Sequence, residues 1–326
     1  MSTLRFPPAS FFGMPLGLFG LGLAWRAAAP LWSLPSVIGE AILAVTAVLW
    51  AWLIGLYALK WMAARADAAG ELGHPVQCCF VGLAPVTGSL CALALLPYLP
   101  GLAFVLFLAG GVGTLAFALY RTGLLWQGER ELGATTAILY LPAVAGSFVT
   151  AIVAASFGLK SWGQLAFGAG FFSWLAIESV LLYRLYNGPV MPPPLRPTLG
   201  IQLAPPAVGA LAYVNVGAGN SDMLSHALLG YALLQALLLI RLTPWFRAQP
   251  FTPSYWAFTF GAAALAGASA RLAAHGDSEA ITTLAPLLFI AANLLIGAFT
   301  VRTLALCLHG KLLPAPPPTA PAKAGD

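Results

Sequence analysis

Long apolar stretches alternate with short polar links along this chain, and ten of them reach membrane-crossing length. They fall near 9–28, 37–64, 74–97, 100–127, 136–157, 162–187, 196–216, 222–246, 255–275 and 280–309. About 20 apolar residues in a helix cross the hydrocarbon core of a bilayer, so the pattern predicts ten transmembrane helices. The odd-numbered stretches differ from the even ones, because each is broken at mid-span by proline or glycine. The breaks read FGMPLG at 12–17, LAPVTG at 83–88, YLPAVAG at 140–146, LAPPAVG at 203–209 and FTFG at 258–261. Their central positions, Pro15, Pro85, Pro142, Pro205 and Gly261, lie 70, 57, 63 and 56 residues apart, which is room for one crossing out and one back. An internal repeat of this length points to a ring or stack of equivalent units. Proline leaves a helix carbonyl without its donor, a costly state in lipid unless the site is buried in protein or lines a wet cavity. Five aligned breaks therefore predict five helices around one path.

Composition settles the solvent. Hydrophobic residues make up 60% and charged residues 8%, with a mean hydropathy of +0.86, where a soluble domain carries about 25% charged residues. No basic leader or small-residue cleavage site precedes the first span, so residues 9–28 read as a retained helix and not a signal peptide. Residues 1–313 form one transmembrane domain on this reading, and the proline- and alanine-rich residues 314–326 a disordered cytoplasmic tail.

The basic residues give orientation, because cytoplasmic loops collect Lys and Arg. One side holds Arg5, Lys60, Arg65, Arg121, Arg130, Arg184, Arg196, Arg241, Arg247, Arg302, Lys311 and Lys323; the other holds Arg26, Lys160 and Arg271, twelve against three. Both termini are expected in the cytoplasm, with all five interrupted helices running outward in parallel. Parallel hairpins suit a ring with a central lumen better than the inverted repeats of rocking-bundle transporters.

Between their ends the odd helices carry no Asp, Glu, Lys, Arg or His; Arg26 and Arg271 stand near the outer ends. A lumen of small and weakly polar residues holds nothing tightly, which conduction requires, and it offers no carboxylate for a proton relay or cation site. The net charge of +5 gives a weak bias toward anions at the cytoplasmic mouth. The fifth break is distinct: Phe260 stands immediately before Gly261. An aromatic ring at that level either fills the lumen and excludes water or, like most of the nineteen phenylalanines, packs against lipid and other helices. The residues alone leave both open.

Glu178 is the one acid well inside a span; pairing with a basic residue of a neighbouring helix is the expected reading, and Arg184, six positions on, stands with it as an ion-pair candidate. The cysteines, Cys78, Cys79, Cys91 and Cys307, have no metal-type spacing and read as small buried apolar groups. The histidines lack partner spacing, so no metal or cofactor is expected. No nucleotide-binding loop, Ser-His-Asp set or paired acidic motif occurs, so no catalytic residue is assigned and the chain reads as a non-enzyme without a nucleic-acid partner.

Several blocks in order carry a resemblance: LWQG at 125–128, YLPAVA at 140–145, FGAG at 167–170 with Glu178 after it, GIQLAP at 200–205, Gly230 and Tyr231 through RLTPW at 241–245, WAFTFG at 256–261 and NLLIG at 293–297. With the opening FGMPLG, nearly the whole chain resembles the bacterial TehA tellurite-resistance family. That family includes plant guard-cell slow anion channels and, more distantly, fungal malate and sulfite carriers. The resemblance implies an all-α membrane protein of ten helices, arranged as five parallel hairpins in a quasi-fivefold ring whose odd helices line a pore. It implies a homotrimer in the lipid bilayer of the bacterial inner membrane, each protomer with its own pore for small inorganic anions such as chloride or nitrate. The family's gating phenylalanine falls on Phe260 and its kinks on Pro15, Pro85, Pro142 and Pro205; these prolines, with Gly17, Gly88, Gly146, Gly209 and Gly261, are the expected pore-lining and helix-kink positions. The chain departs from the plant members in having Gly261 where they have proline, and it lacks their long phosphorylated tails.

The expected function is thus a passive anion channel, closed by Phe260 and associated with tellurite resistance. A dicarboxylate or sulfite carrier on the same fold is the alternative, and a membrane scaffold for a tellurite-detoxifying enzyme is the alternative of another class.

Overall fold

The computed structural model describes residues 6–128, 130–217, 222–276 and 278–313; the tail assigned to 314–326 lies outside the described residues. Among the described residues ten helices are long and apolar enough to cross a membrane: α1 Ala9–Leu31, α2 Ser36–Ala63, α3 Cys78–Leu95, α4 Pro100–Trp126, α5 Ala137–Ser156, α6 Lys160–Asn187, α7 Pro193–Val216, α8 Met223–Arg241, α9 Pro253–Ala274 and α10 Glu279–Leu308. A short helix, Arg65–Gly73, links α2 to α3.

The two sets are built differently. Each even helix is one uninterrupted α-helix, only 22–33% buried over its most apolar window. Each presents large apolar side chains outward, among them Trp52, Leu115, Phe172, Leu237 and Leu294, as a lipid-facing helix must. The odd helices are 67–78% buried, and each is compound. In α1 a 3₁₀ turn, Ala9–Phe12, precedes the α-helix Gly13–Leu31. In α3 a single turn, Cys78–Val81, precedes Leu83–Leu95. In α5 a π-type segment, Leu141–Ala145, precedes Gly146–Ser156. In α7 and α9 the 3₁₀ stretches Pro193–Leu203 and Pro253–Phe258 precede Ala204–Val216 and Thr259–Ala274.

Each break in the sequence marks one of these junctions. Pro15 and Pro85 are the third residues of their regular helices, Pro205 the second of its own, and Pro142 the second of the π-type segment. The first turn of a helix has no intrahelical use for its N–H groups, so proline loses little there. The breaks are therefore less costly than a proline set within a continuous helix.

Each odd helix packs against the even helix that follows it, and the odd helices also touch one another in the order α1, α3, α5, α7, α9 and back to α1. Small residues let these backbones approach. A β-carbon on Gly17 of α1 would lie 2.0 Å from Oγ1 of Thr259 in α9. One on Gly261 of α9 would lie 2.9 Å from the backbone nitrogen of Ala204 in α7. One on Gly146 of α5 would lie 2.1 Å from Cγ2 of Thr114 in α4. Gly209 of α7 stands against Phe148 of α5, and Gly88 of α3 against Trp50 of α2.

Candidate functional site

Two cavities lie among the buried helices. All five odd helices contribute to both, the first halves to one and the second halves to the other. We call the side where the odd helices begin the near side. The near cavity, about 130 Å³, is lined mainly by apolar side chains such as Leu16, Leu83, Val144, Pro205 and Val208, with Ser10, Gln77, Tyr140, Thr198 and Ser254 among its polar members. The far cavity, about 180 Å³, is lined by Leu90, Ile152, Leu211, Ala263 and Gly267, with Ser156, Asn215, Arg26 and Arg271. Among the described residues one side chain lines both: Phe260, which is 6% exposed. A path through the two cavities meets its ring at the boundary.

Phe260 is the second residue of the regular part of α9, just after the 3₁₀ stretch. Three bonds fix that junction. Trp256 donates its indole N–H to Thr303 of α10 at 2.9 Å, Thr303 donates to the Phe299 carbonyl at 2.7 Å, and Thr259 donates to the Trp256 carbonyl at 2.7 Å. Gly20 of α1 and Gly261 of α9 leave the space in which the ring and its backbone sit.

The other sites expected from sequence fall in two groups. Pro205 lines the near cavity; Pro15, Pro85, Pro142, Gly17, Gly88, Gly146, Gly209 and Gly261 are not among the linings of either cavity and instead shape the helix junctions and contacts behind them. The pairing of Glu178 with Arg184 requires correction. Both are buried, but among the described residues no ion pair joins them. Six positions along a helix place two side chains on different faces. Glu178 instead accepts hydrogen bonds from Tyr140 of α5, Trp174 of its own helix at 2.9 Å, Gln202 of α7 at 2.8 Å and Tyr231 of α8 at 2.5 Å. Gln202 also donates to the Tyr140 hydroxyl at 3.1 Å. This cluster ties four helices together at the irregular halves of α5 and α7. Its sequence signal was the presence of Tyr, Gln and Tyr at otherwise apolar depths. The thiols also divide: Cys78, Cys79 and Cys91 are buried, whereas Cys307 is exposed on α10.

On the far side Arg26 donates Nε and Nη2 to the two Glu40 oxygens at 2.6 and 2.7 Å, and Nη1 and Nη2 to the carbonyls of Leu93 and Ala94 at 2.7 and 2.8 Å. Tyr98, in the loop after α3, donates to the same carboxylate at 2.9 Å, and that bond raises the pKa of its hydroxyl. Lys60 and Glu71 form the other ion pair among the described residues, at 2.7 Å, on the near side. Among the described residues no acid, lysine or histidine lines either cavity, and no three His, Cys, Asp or Glu side chains converge as a metal site would need.

Ten membrane-length helices, the buried ones lining two cavities that meet at a single ring, define a multi-pass membrane protein of the transport class. The chain belongs to the SLAC1 family: residues 5–304 match the family model described as a voltage-dependent anion channel. It is 35% identical over 305 residues to the tellurite resistance protein TehA homolog of Haemophilus influenzae, covering 93% of this chain and 92% of that one. It is 26% identical to the S-type anion channel SLAH3 and 27% identical to the S-type anion channel SLAH2, both of Arabidopsis thaliana. The matched regions cover 92% and 90% of this chain but 48% and 58% of those longer proteins.

Proposed function

We propose that this chain is a passive anion channel of the bacterial inner membrane, closed by the side chain of Phe260. The observation that carries the reading is that Phe260 alone among the described residues lines both cavities. An apolar constriction blocks an ion by excluding the water that solvates it, and a bare charge in an apolar medium faces a penalty on the order of tens of kcal/mol. One ring is therefore a sufficient barrier. The cyclic contacts among the odd helices support a quasi-fivefold ring of five hairpins about that path. In this arrangement Pro15, Pro85, Pro142, Pro205 and Gly261 set the level of the bend, while Gly17, Gly88, Gly146 and Gly209 allow the close packing that supports it.

Anions are favoured because, among the described residues, the charged groups lining the two cavities are the arginines Arg26 and Arg271, of which Arg26 is balanced by Glu40; the permeant ions would be small and inorganic, such as chloride or nitrate. The basic excess on the near side supports a cytoplasmic position for both termini. Each protomer of a homotrimer would conduct separately, and tellurite resistance would be a consequence of the channel's expression and not of tellurite chemistry within it.

Planar-bilayer recording of purified wild type and Phe260→Ala, under chloride and nitrate gradients with impermeant cations, tests the reading. The expected result is a non-saturating anion current in the variant and near silence in wild type. Silence in both, with the protein folded, would overturn the channel and favour saturable carriage.

A further inference from the structure

A third pocket lies on the near side, away from the path, where the end of α4 meets the link between α2 and α3. It measures about 250 Å³ and shares no lining residue with either cavity of the path. Gly73 and Pro75 of the link, Leu124 and Leu125 of α4, and the two arginines Arg121 and Arg130 are among its lining. Gly128, in the left-handed region at a φ of +93°, turns the chain after α4, so that Arg130 of the loop lines the same pocket as Arg121 of the helix. Both guanidinium groups have donors to spare. The Nε of each is shut off from solvent without a hydrogen-bond partner, and the one bond found for either among the described residues runs from Arg130 Nη2 to the Ala134 carbonyl at 2.5 Å. No acid pairs with them among the described residues; Glu131 also lines the pocket but is exposed and makes no ion pair with either. Burial, more than the nearby charge of Arg121, lowers the pKa of the Arg130 guanidinium, and an anion held between the two would satisfy both.

We propose that Arg121 and Arg130 hold the phosphate of an anionic phospholipid of the near-side leaflet. This goes beyond the channel reading and does not depend on it. Two guanidinium groups supply forked donors that match phosphate oxygens, and basic pockets between membrane helices on the cytoplasmic side receive acidic headgroups. What surrounds the pocket favours a lipid over free phosphate. Tyr120 and Trp126 stand exposed on either side of Arg121 along α4, and Leu119 and Leu115 stand exposed toward the middle of the same helix. Exposed aromatic rings at the end of a spanning helix mark the headgroup level. A phosphate at Arg121 therefore sits at headgroup depth, with its acyl chains along Leu119 and Leu115. The bound lipid ties the end of α4 to the link that precedes α3.

Native mass spectrometry of the purified full-length protein in neutral detergent, titrated with phosphatidylglycerol, tests the site. Wild type should bind phosphatidylglycerol in preference to phosphatidylcholine. Arg121→Gln and Arg130→Gln should each weaken the phosphatidylglycerol affinity by roughly fivefold, the share of one arginine at an anionic surface. Arg247→Gln, which removes an exposed near-side charge elsewhere, should leave it unchanged. Arg130→Gln also loses the bond to Ala134; if that variant does not fold, Arg121→Gln, which breaks no hydrogen bond found among the described residues, decides alone. Melting temperature identifies the source: phosphatidylglycerol should raise that of wild type, and inorganic phosphate at the same concentration should not. An unchanged affinity in Arg121→Gln, or an equal loss in Arg247→Gln, overturns the site and leaves only general surface charge. Stabilisation by inorganic phosphate that Arg121→Gln abolishes overturns the lipid assignment in favour of free phosphate. None of these measurements needs current, so a silent Phe260→Ala would sink the channel reading and leave this result standing.

Discussion

Gly20 of α1 lies directly against the ring of Phe260. A β-carbon built on it would stand 3.1 Å from Cδ2 of the ring and 3.0 Å from the β-carbon of Ala263. Contacts that close require a neighbour to yield by a few tenths of an ångström, and a side chain at the boundary of two cavities yields more readily than the backbone of α9.

Gly20→Ala should therefore open a leak. In bilayers its anion current is expected to lie between wild type and Phe260→Ala. The effect should vanish in the Phe260→Ala background, because the methyl then has no ring to move; two contacting residues couple in this non-additive way. An equal change in both backgrounds would mean that the methyl acts on the lumen itself.

The sequence carried much of this fold because membrane burial imposes two strong rules. Apolar length marks each crossing, and proline or glycine at mid-span marks each buried one. The ten predicted spans coincide with the ten helices to within a few residues at most ends. Phe260 was visible as the aromatic exception at the fifth break. The partners of Glu178 were not, because Tyr140, Gln202 and Tyr231 lie 38, 24 and 53 residues away in sequence, and periodicity within one helix says nothing about which neighbour it faces. Gly17 and Gly261 mark breaks in the sequence, but their part in backbone approach between helices is visible only in the packing.

Glu178 provides a stability test. Removing its carboxylate with Glu178→Ala leaves the donors of Tyr140, Trp174, Gln202 and Tyr231 without their shared acceptor. Each buried unpaired group costs about 1–3 kcal/mol, so the variant should lose at least about 3 kcal/mol. Because no ion pair joins Glu178 to Arg184, the effects of Glu178→Ala and Arg184→Ala on unfolding in detergent should add. A coupling above about 1 kcal/mol would restore the pairing expected from sequence.

Arg26 separates structure from selectivity. Arg26→Gln alone leaves the Glu40 carboxylate near the far cavity with only Tyr98 as a donor side chain, and the unbalanced charge should reduce anion selectivity in the Phe260→Ala background. Combining it with Glu40→Gln removes both charges of the pair together. The ratio of anion to cation permeability should then return to within about twofold of the parent, a difference of less than 0.5 kcal/mol on the usual scale of roughly 1.4 kcal/mol per tenfold. Reversal potentials in asymmetric salt measure both, and a double variant that stays poorly selective would give Arg26 a direct part in conduction.

The breaks themselves should tolerate change unequally. Pro205 occupies the first turn of its regular helix, where its missing N–H has no intrahelical partner, so Pro205→Ala should cost only the extra freedom of the unfolded chain, about 0.4–1 kcal/mol. Gly261 stands where α9 meets the corresponding junction of α7, and a β-carbon there would lie 2.9 Å from the Ala204 nitrogen and 3.0 Å from the Leu203 carbonyl carbon. Those are backbone atoms, which cannot turn aside as the Phe260 ring can. Gly261→Ala should therefore destabilise by about 1–3 kcal/mol and, by moving α9 next to Phe260, raise the basal current as well. Thermal unfolding ranks the two variants, and bilayer recording asks whether Gly261→Ala leaks while Pro205→Ala stays closed. If Pro205→Ala proves the more damaging of the two, the bend depends on the rigidity of proline and not on the close approach of the two junctions.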